Sequence, residues 1–439
     1  MAFKARIWIG IGACLLTNAA GQLADQDFSP AKLLFFPAFA AGGEGGEKGE
    51  GGEGGERGEG AAIPESYKLN STDPNAFNFD AKPQIAAYST LVYESYKASH
   101  AAAVTMQKSI EDFLAKPNAV TLARARFAWM NARMPYLQTE TFRFYDGPID
   151  FADAAKKEEG PEAHINAWPL NEAFIDYVKG KPGSGLINDP KVKLTAATIR
   201  EKDQVSDEAD VTTGWHAIEF LLWGQDLNPV GPGDRKADDY IAGKGNNDRR
   251  RLYLKTVTAM LVDDLAGLVK AWEPGKTDNY AAKFAALDQR EALGRIITGM
   301  AMLSGHELMS ERLAVALDSG DQEDEHSCFS DTTRNDFIYD VRGIRNVWFG
   351  DVGNFNGPGL DELLGKIDPG LNARVIAAIN RAEAAVAALP QPFDQVLASP
   401  KGSSERKVAE SAVAAFKDLA SALKDAGGKL GVLISVSDK

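Results

Sequence analysis

The 439-residue sequence predicts an all-α fold, and three observations carry that expectation. From about Ala81 onward, apolar residues recur at three- and four-residue spacing, the period of one helix face. Runs that alternate apolar and polar residues are few. Proline and glycine cluster between the periodic segments, as in Gly180-Lys181-Pro182-Gly183 and Pro229-Val230-Gly231-Pro232-Gly233, where they punctuate helices. The spacing selects Ile85 to Leu114 first, then Ala119 to Phe142. Val211 to Trp223 follows, and there Trp215, Ile218, Phe220, Leu221, Leu222 and Trp223 make the segment apolar nearly all the way round, as a buried helix requires. Asp248 to Trp272, Ala281 to Leu317, Leu371 to Ala388 and Ser404 to Leu423 complete the set.

Upstream of Ala81 the chain has a different character. Lys4 and Arg6 precede the apolar run Ile7 to Leu16, the pattern of an export signal. Ala38-Phe39-Ala40 ends a second apolar run and is the preferred cleavage point. Ile11-Gly12-Ala13-Cys14 offers the alternative of a lipid anchor at Cys14. No later stretch reaches the roughly 20 apolar residues of a membrane span. A soluble compartment of the periplasm or cell envelope is therefore expected. Ala41 to Gly60 sets Glu44, Glu47, Glu50, Glu53, Glu56 and Glu59 at every third position among glycines, a composition that buries nothing and reads as a tether. The expected organisation is a signal at 1–40, linker and lead-in at 41–80, helical halves at 81–235 and 236–423, and a tail at 424–439.

A net charge of −14 and a pI near 5.0 argue against nucleic acid or an anionic membrane as partner, and suit a protein that handles cations. Cys14 and Cys328 are the only cysteines, so no disulfide framework is implied.

The chemistry centres on Gly214 to Gly224, GWHAIEFLLWG, where His216 and Glu219 lie three residues apart and so share one helix face. A carboxylate in such apolar surroundings is costly unless paired, hydrogen-bonded or bound to metal. A neutral histidine nitrogen and a glutamate oxygen together suit iron, zinc, manganese or copper, and carboxylate-rich surroundings lean toward iron. The alternative is a core histidine bonded to a neighbouring acid.

Gly214, His216 and Glu219 match GxHxxE, and in this the sequence resembles the imelysin family. Four further segments resemble the family in the same order: Phe127 to Asp150, Ile165 to Asn171, Asp248 to Trp272, and Ser310 to Asp336. The resemblance implies two packed helical-bundle halves and a bacterial envelope protein tied to iron acquisition, with an inner- or outer-membrane iron transport component as partner. Some family members are described as metallopeptidases. Bundle cores are where facing helices assemble metal sites.

Two ligands do not complete a site, and Glu140 and Glu311 are candidate donors because each lies in a segment that resembles the family. Salt bridges to Arg143 or Arg312 are the competing reading. Glu323 and His326, in the acidic segment Asp321 to Cys328, are the other two candidates. A zinc peptidase of the HExxH type needs a second histidine; the pair His306-Glu307 is followed by Leu308, Met309 and Ser310. An exported metal-binding protein is thus the leading expectation, with iron as the ion and zinc or copper as alternatives. A metal-dependent peptidase and an envelope scaffold without metal are the competing classes.

Overall fold

The computed structural model describes residues 67–69 and 78–436. The export segment, Cys14 and the glutamate-rich tether lie outside the described residues. Among the described residues eight long helices dominate, joined by loops, short helical turns and three two-stranded antiparallel hairpins or pairs. Among the described residues no helix is long and apolar enough to cross a membrane.

Helix α1, Lys82–Ala115, begins with proline in its first turn, where the missing N–H is tolerated, and ends just before Pro117. Helix α2, Ala119–Leu137, opens with a capping box: the Asn118 side chain accepts from the backbone of Thr121, whose hydroxyl accepts from Asn118. It stops five residues short of the Phe142 expected from periodicity. The Thr139 hydroxyl and N–H both donate to the Tyr136 carbonyl, closing the last turn, and a 3-10 turn, Glu140–Phe142, follows.

Helix α3, Gly214–Trp223, starts later than the expected Val211 for a steric reason. Gly214 has φ of +82°, and a Cβ there would lie 2.4 Å from the carbonyl oxygen of Ile165. All ten α3 residues are buried. Helix α4 spans Asn247–Trp272. The single helix expected over Ala281 to Leu317 is instead broken. Tyr280–Ala285 ends, Asp288 caps a new start, and α5 runs Gln289–Met302 before widening into a π-helix, Leu303–Ala314, and closing as Val315–Ser319. Helix α6, Thr333–Phe349, was hidden in sequence by the acidic segment before it. Helices α7, Pro369–Ala388, and α8, Ser404–Lys429, begin at the capping side chains of Asp368 and Ser403.

Packing divides these helices into two groups. Helices α1, α2, α3 and α4 pack on one another, so Asn247–Trp272, assigned by sequence to the second half, lies against α1 and α3. Helices α5 to α8, with the π-helical extension, form the other group, and Val432–Ile434 pairs antiparallel with Tyr67–Leu69 beside them. Helix α6 meets α2 and the Glu140–Phe142 turn. Fully buried Trp129, Trp215, Trp272 and Trp348 anchor the core. The seam between the groups is where the polar chemistry lies.

Candidate functional site at the seam between helix groups

Four elements converge on the seam. Helix α2 supplies Arg133, α3 supplies His216 and Glu219, the turn at 326–332 supplies His326, Ser327 and Ser330, and α6 supplies Asp336. His216 and Glu219 have 0% exposure, and Arg133 has 2%. Helical spacing puts His216 Nδ1 2.9 Å from Glu219 Oε2. The other glutamate oxygen, Oε1, accepts from the Ser330 N–H at 2.9 Å and the Ser330 hydroxyl at 2.6 Å. When Glu219 is ionised both carboxylate oxygens are thereby engaged as acceptors, and His216 Nδ1–H is the donor to Oε2. This leaves His216 Nε2 with its lone pair, 3.3 Å from Arg133 Nη2.

Arg133 Nη2 is the centre of the arrangement. It lies 2.8 Å from Asp336 Oδ2 and 3.2 Å from His326 Nδ1, while Nη1 donates to Asn166 Oδ1 at 2.9 Å. Asp336 Oδ2 also lies 2.7 Å from both His326 Nδ1 and the Ser327 hydroxyl. Burial, then the charge on Arg133, holds His216 well below the usual imidazole range; burial, then Arg312 and Arg133, does the same to His326. Both rings are neutral at physiological pH. Burial pushes the Glu219 carboxyl up to about 8, against the pull of Arg133 and the Ser330 hydrogen bonds.

Glu140 lies one layer away. Its Oε2 accepts from Arg312 Nη2 at 2.7 Å and Arg143 Nη1 at 3.1 Å, the ion pairs that competed with ligation in the sequence. Burial favours its neutral form, but Arg143 and Arg312 outweigh that and hold it at about 2. Arg312 also bonds Asp340 and Glu307, so Glu307, the acid of the His306-Glu307 pair, serves an arginine. Asn166 joins the two networks: it accepts from Arg133 and donates to Glu140 Oε2 at 3.4 Å.

Glu311 stands apart, with its side chain 42% exposed and Oε1 3.8 Å from His306 Nδ1. Glu323 belongs to a 3-10 turn, Gln322–Asp324, where its N–H bonds Asp321; burial and then Glu172 push its carboxyl to about 8. The structure thus brings His216, Glu219 and His326 together, sets Glu140 beside them, and leaves Glu311 and Glu323 elsewhere. Sequence reasoning missed Arg133, Asn166 and Ser330, and placed Asp336 with Asp331 only as followers of the acidic segment that could line the site, not among its candidate ligands. Arg133 and Asn166 lie inside segments singled out for their family resemblance, but nothing in their local spacing marks them.

A cation has a defined place in this geometry. Histidines that bind metal commonly donate the second ring N–H to a carboxylate, which fixes the tautomer. Glu219 does this for His216, so Glu219 fits the role of orienting acid and His216 Nε2 that of donor. Nε2, His326 Nδ1 and Asp336 Oδ2 surround one point, which the guanidinium nitrogen of Arg133 fills.

Comparison with known proteins agrees with this architecture. Residues 92–423 match the Imelysin family. The chain is 24% identical to "Iron-regulated protein A" of Synechococcus elongatus over 337 residues, which is 75% of this chain and 81% of that protein. Its fold is similar to that of an iron-regulated protein A precursor from Parabacteroides distasonis, with a TM-score of 0.60 at 18% identity, covering 80% of this chain and 96% of that one. It is also similar to an imelysin-like protein from Psychrobacter arcticum, with a TM-score of 0.57 at 13% identity, covering 81% and 98%. The matched span takes in the positions of Arg133, His216, Glu219 and Asp336, and the chain belongs to the imelysin family.

Proposed function

We propose that this protein binds iron in the bacterial envelope, as cargo on its way to a membrane transport component, at the seam site built around His216. One observation carries the reading: two neutral imidazoles and a carboxylate surround a single cationic nitrogen, Arg133 Nη2. The donors that would hold the ion are His216 Nε2, His326 after a tautomer shift that frees Nδ1, and Asp336, with Glu219 orienting His216. Mixed imidazole and carboxylate donors suit iron, and zinc or copper by the imidazoles. The acidic net charge and the names of the relatives in Synechococcus and Parabacteroides support the same reading. Export rests on the basic and apolar N-terminus alone.

Peptide cleavage is less well supported. His216 and Glu219 have 0% exposure, which suits an ion better than a polypeptide substrate. Metal analysis of mature protein purified without added metal, followed by titration with iron, zinc and copper, tests the proposal. His216→Ala should weaken binding strongly, and Glu219→Gln by about 10–100-fold, as loss of an orienting partner does. Equal affinity in a folded His216→Ala protein rejects the site. Chelator-sensitive digestion of a peptide library, lost in Glu219→Gln, would restore the peptidase reading.

A further inference from the structure

A second group of acids lies away from the arginine network. Asp226 follows α3, Asp331 lies in the turn before α6, Asp394 precedes α8, and Glu325 leads into the 326–332 turn. Their exposures are 2%, 6%, 3% and 0%. One carboxylate oxygen from each of Asp226, Asp331 and Asp394 lies within 4.8 Å of the others. Buried carboxylates are ordinarily hydrogen-bonded or paired. Here both oxygens of Asp331 and Oδ2 of Asp226 accept no hydrogen bond, while Glu325 and Asp394 lie within hydrogen-bonding reach of each other. Asp226 Oδ1 accepts from the N–H of Asn228.

Protons or a cation can relieve such a cluster. A proton gives one carboxyl one donor, and Glu325, held neutral by burial and by Asp394, takes that route. The Glu325 proton also serves Asp394, and burial and then Asp394 push the Asp331 carboxyl up to about 9, but each proton bridges only two oxygens, whereas a cation engages all three aspartates together. A cation engages several oxygens at once, and oxygens around one ion at 2.3–2.6 Å are about 5 Å apart at most, in keeping with the observed spacing. No histidine or cysteine belongs to the group, so its donor set is oxygen only and selects a hard ion. Asp226 also lines an open groove with Gly224, Gln225, Asn228 and Asp234, which gives an ion a route in.

We propose that Asp226, Asp331 and Asp394, backed by Glu325, form a second cation site for a hard divalent ion of the Ca²⁺ or Mn²⁺ kind. The site is independent of the reading given to His216. Its role is to clasp three chain segments, one of which carries Ser330 beside Asp331. An ion there would fix the turn whose Ser330 hydrogen-bonds Glu219.

Chelator-treated mature protein, titrated separately with Ca²⁺ and Mn²⁺ at pH 7.5, tests this by calorimetry and thermal unfolding. One equivalent of at least one ion should bind saturably and raise Tm. Asp331→Asn/Asp394→Asn should lower its affinity at least tenfold, while His216→Ala retains that equivalent. The metal-free double variant should be no less stable than wild type, because like charges are removed; if it does not fold, Asp226→Asn gives the same comparison. Absence of saturable binding and of any Tm shift in wild type overturns the proposal, as does unchanged affinity in the folded variants. Loss of the equivalent in folded His216→Ala would place the ion at the seam site and overturn it too.

Discussion

Arg133→Met is the sharpest test of how the seam is held. The substitution keeps an unbranched side chain but removes the charge facing Asp336, the donor to Asn166 Oδ1 and the donor to His216 Nε2. Breaking a buried ion pair from one side costs about 3–5 kcal/mol, because the remaining charge is left uncompensated. Asp336 keeps two donors, His326 Nδ1–H and the Ser327 hydroxyl, so the loss falls toward the lower end, about 3 kcal/mol. At about 2.1 cal/mol/K per residue over roughly 360 residues, that lowers Tm by about 4 °C. Urea unfolding followed by circular dichroism and tryptophan fluorescence measures it. Adding Asp336→Asn removes the stranded charge and should recover at least about 1.5 kcal/mol, a coupling typical of residues in one network. If iron takes the place of the guanidinium nitrogen, folded Arg133→Met should bind iron at least as tightly as wild type. A loss under about 1 kcal/mol with no recovery in the double variant would refute the account of Arg133 as the seam's central charge.

Other consequences follow from the same networks. Glu140, depressed to about 2 from an ordinary 4.5, contributes stability that is present above pH 4.5 and lost as pH falls toward 2. Glu140→Gln should abolish about 3 kcal/mol of that acid-limb dependence, and unfolding curves from pH 2 to 6 that match wild type would contradict it. Glu219 has the opposite sign: with its folded value near 8, metal-free protein holds a proton that the unfolded chain releases, so stability falls as pH rises from about 4.5 to 8. Glu219→Gln should flatten that slope, and iron binding near pH 7 should release a proton detectable as buffer-dependent heat. Gly299→Ala should destabilise by about 1–3 kcal/mol, since its Cβ would lie 2.3 Å from the Thr141 carbonyl oxygen beside Glu140; a thermal melt equal to wild type would count against that close approach.

Local pattern was enough to define much of this molecule. The 3.6-residue period and the Pro and Gly breaks marked α1, α4 and α7 to within a few residues and the start of α8, because those helices bury one face and begin at capping or proline-bearing sequence; α8 runs on past Leu423 to Lys429, into the expected tail. The apolar run around His216 and Glu219 was legible as a buried helix, and helical spacing alone made their side chains neighbours. Where the expectation failed, a tertiary or local bond had overridden the period. Thr139 ends α2, Asp288 divides the long helix, and the packing of Ile165 against Gly214 sets the start of α3. Sequence could not show that Glu219 is saturated by Ser330, more than a hundred positions away, or that Arg133 stands between two histidines and an aspartate. It also could not show that Asp226, Asp331 and Asp394 share one buried place. Such meetings depend on how two helix groups close over a seam, and charge compensation there is a property of three dimensions: each acid or base is tolerated only because a distant segment supplies, or leaves open, its partner.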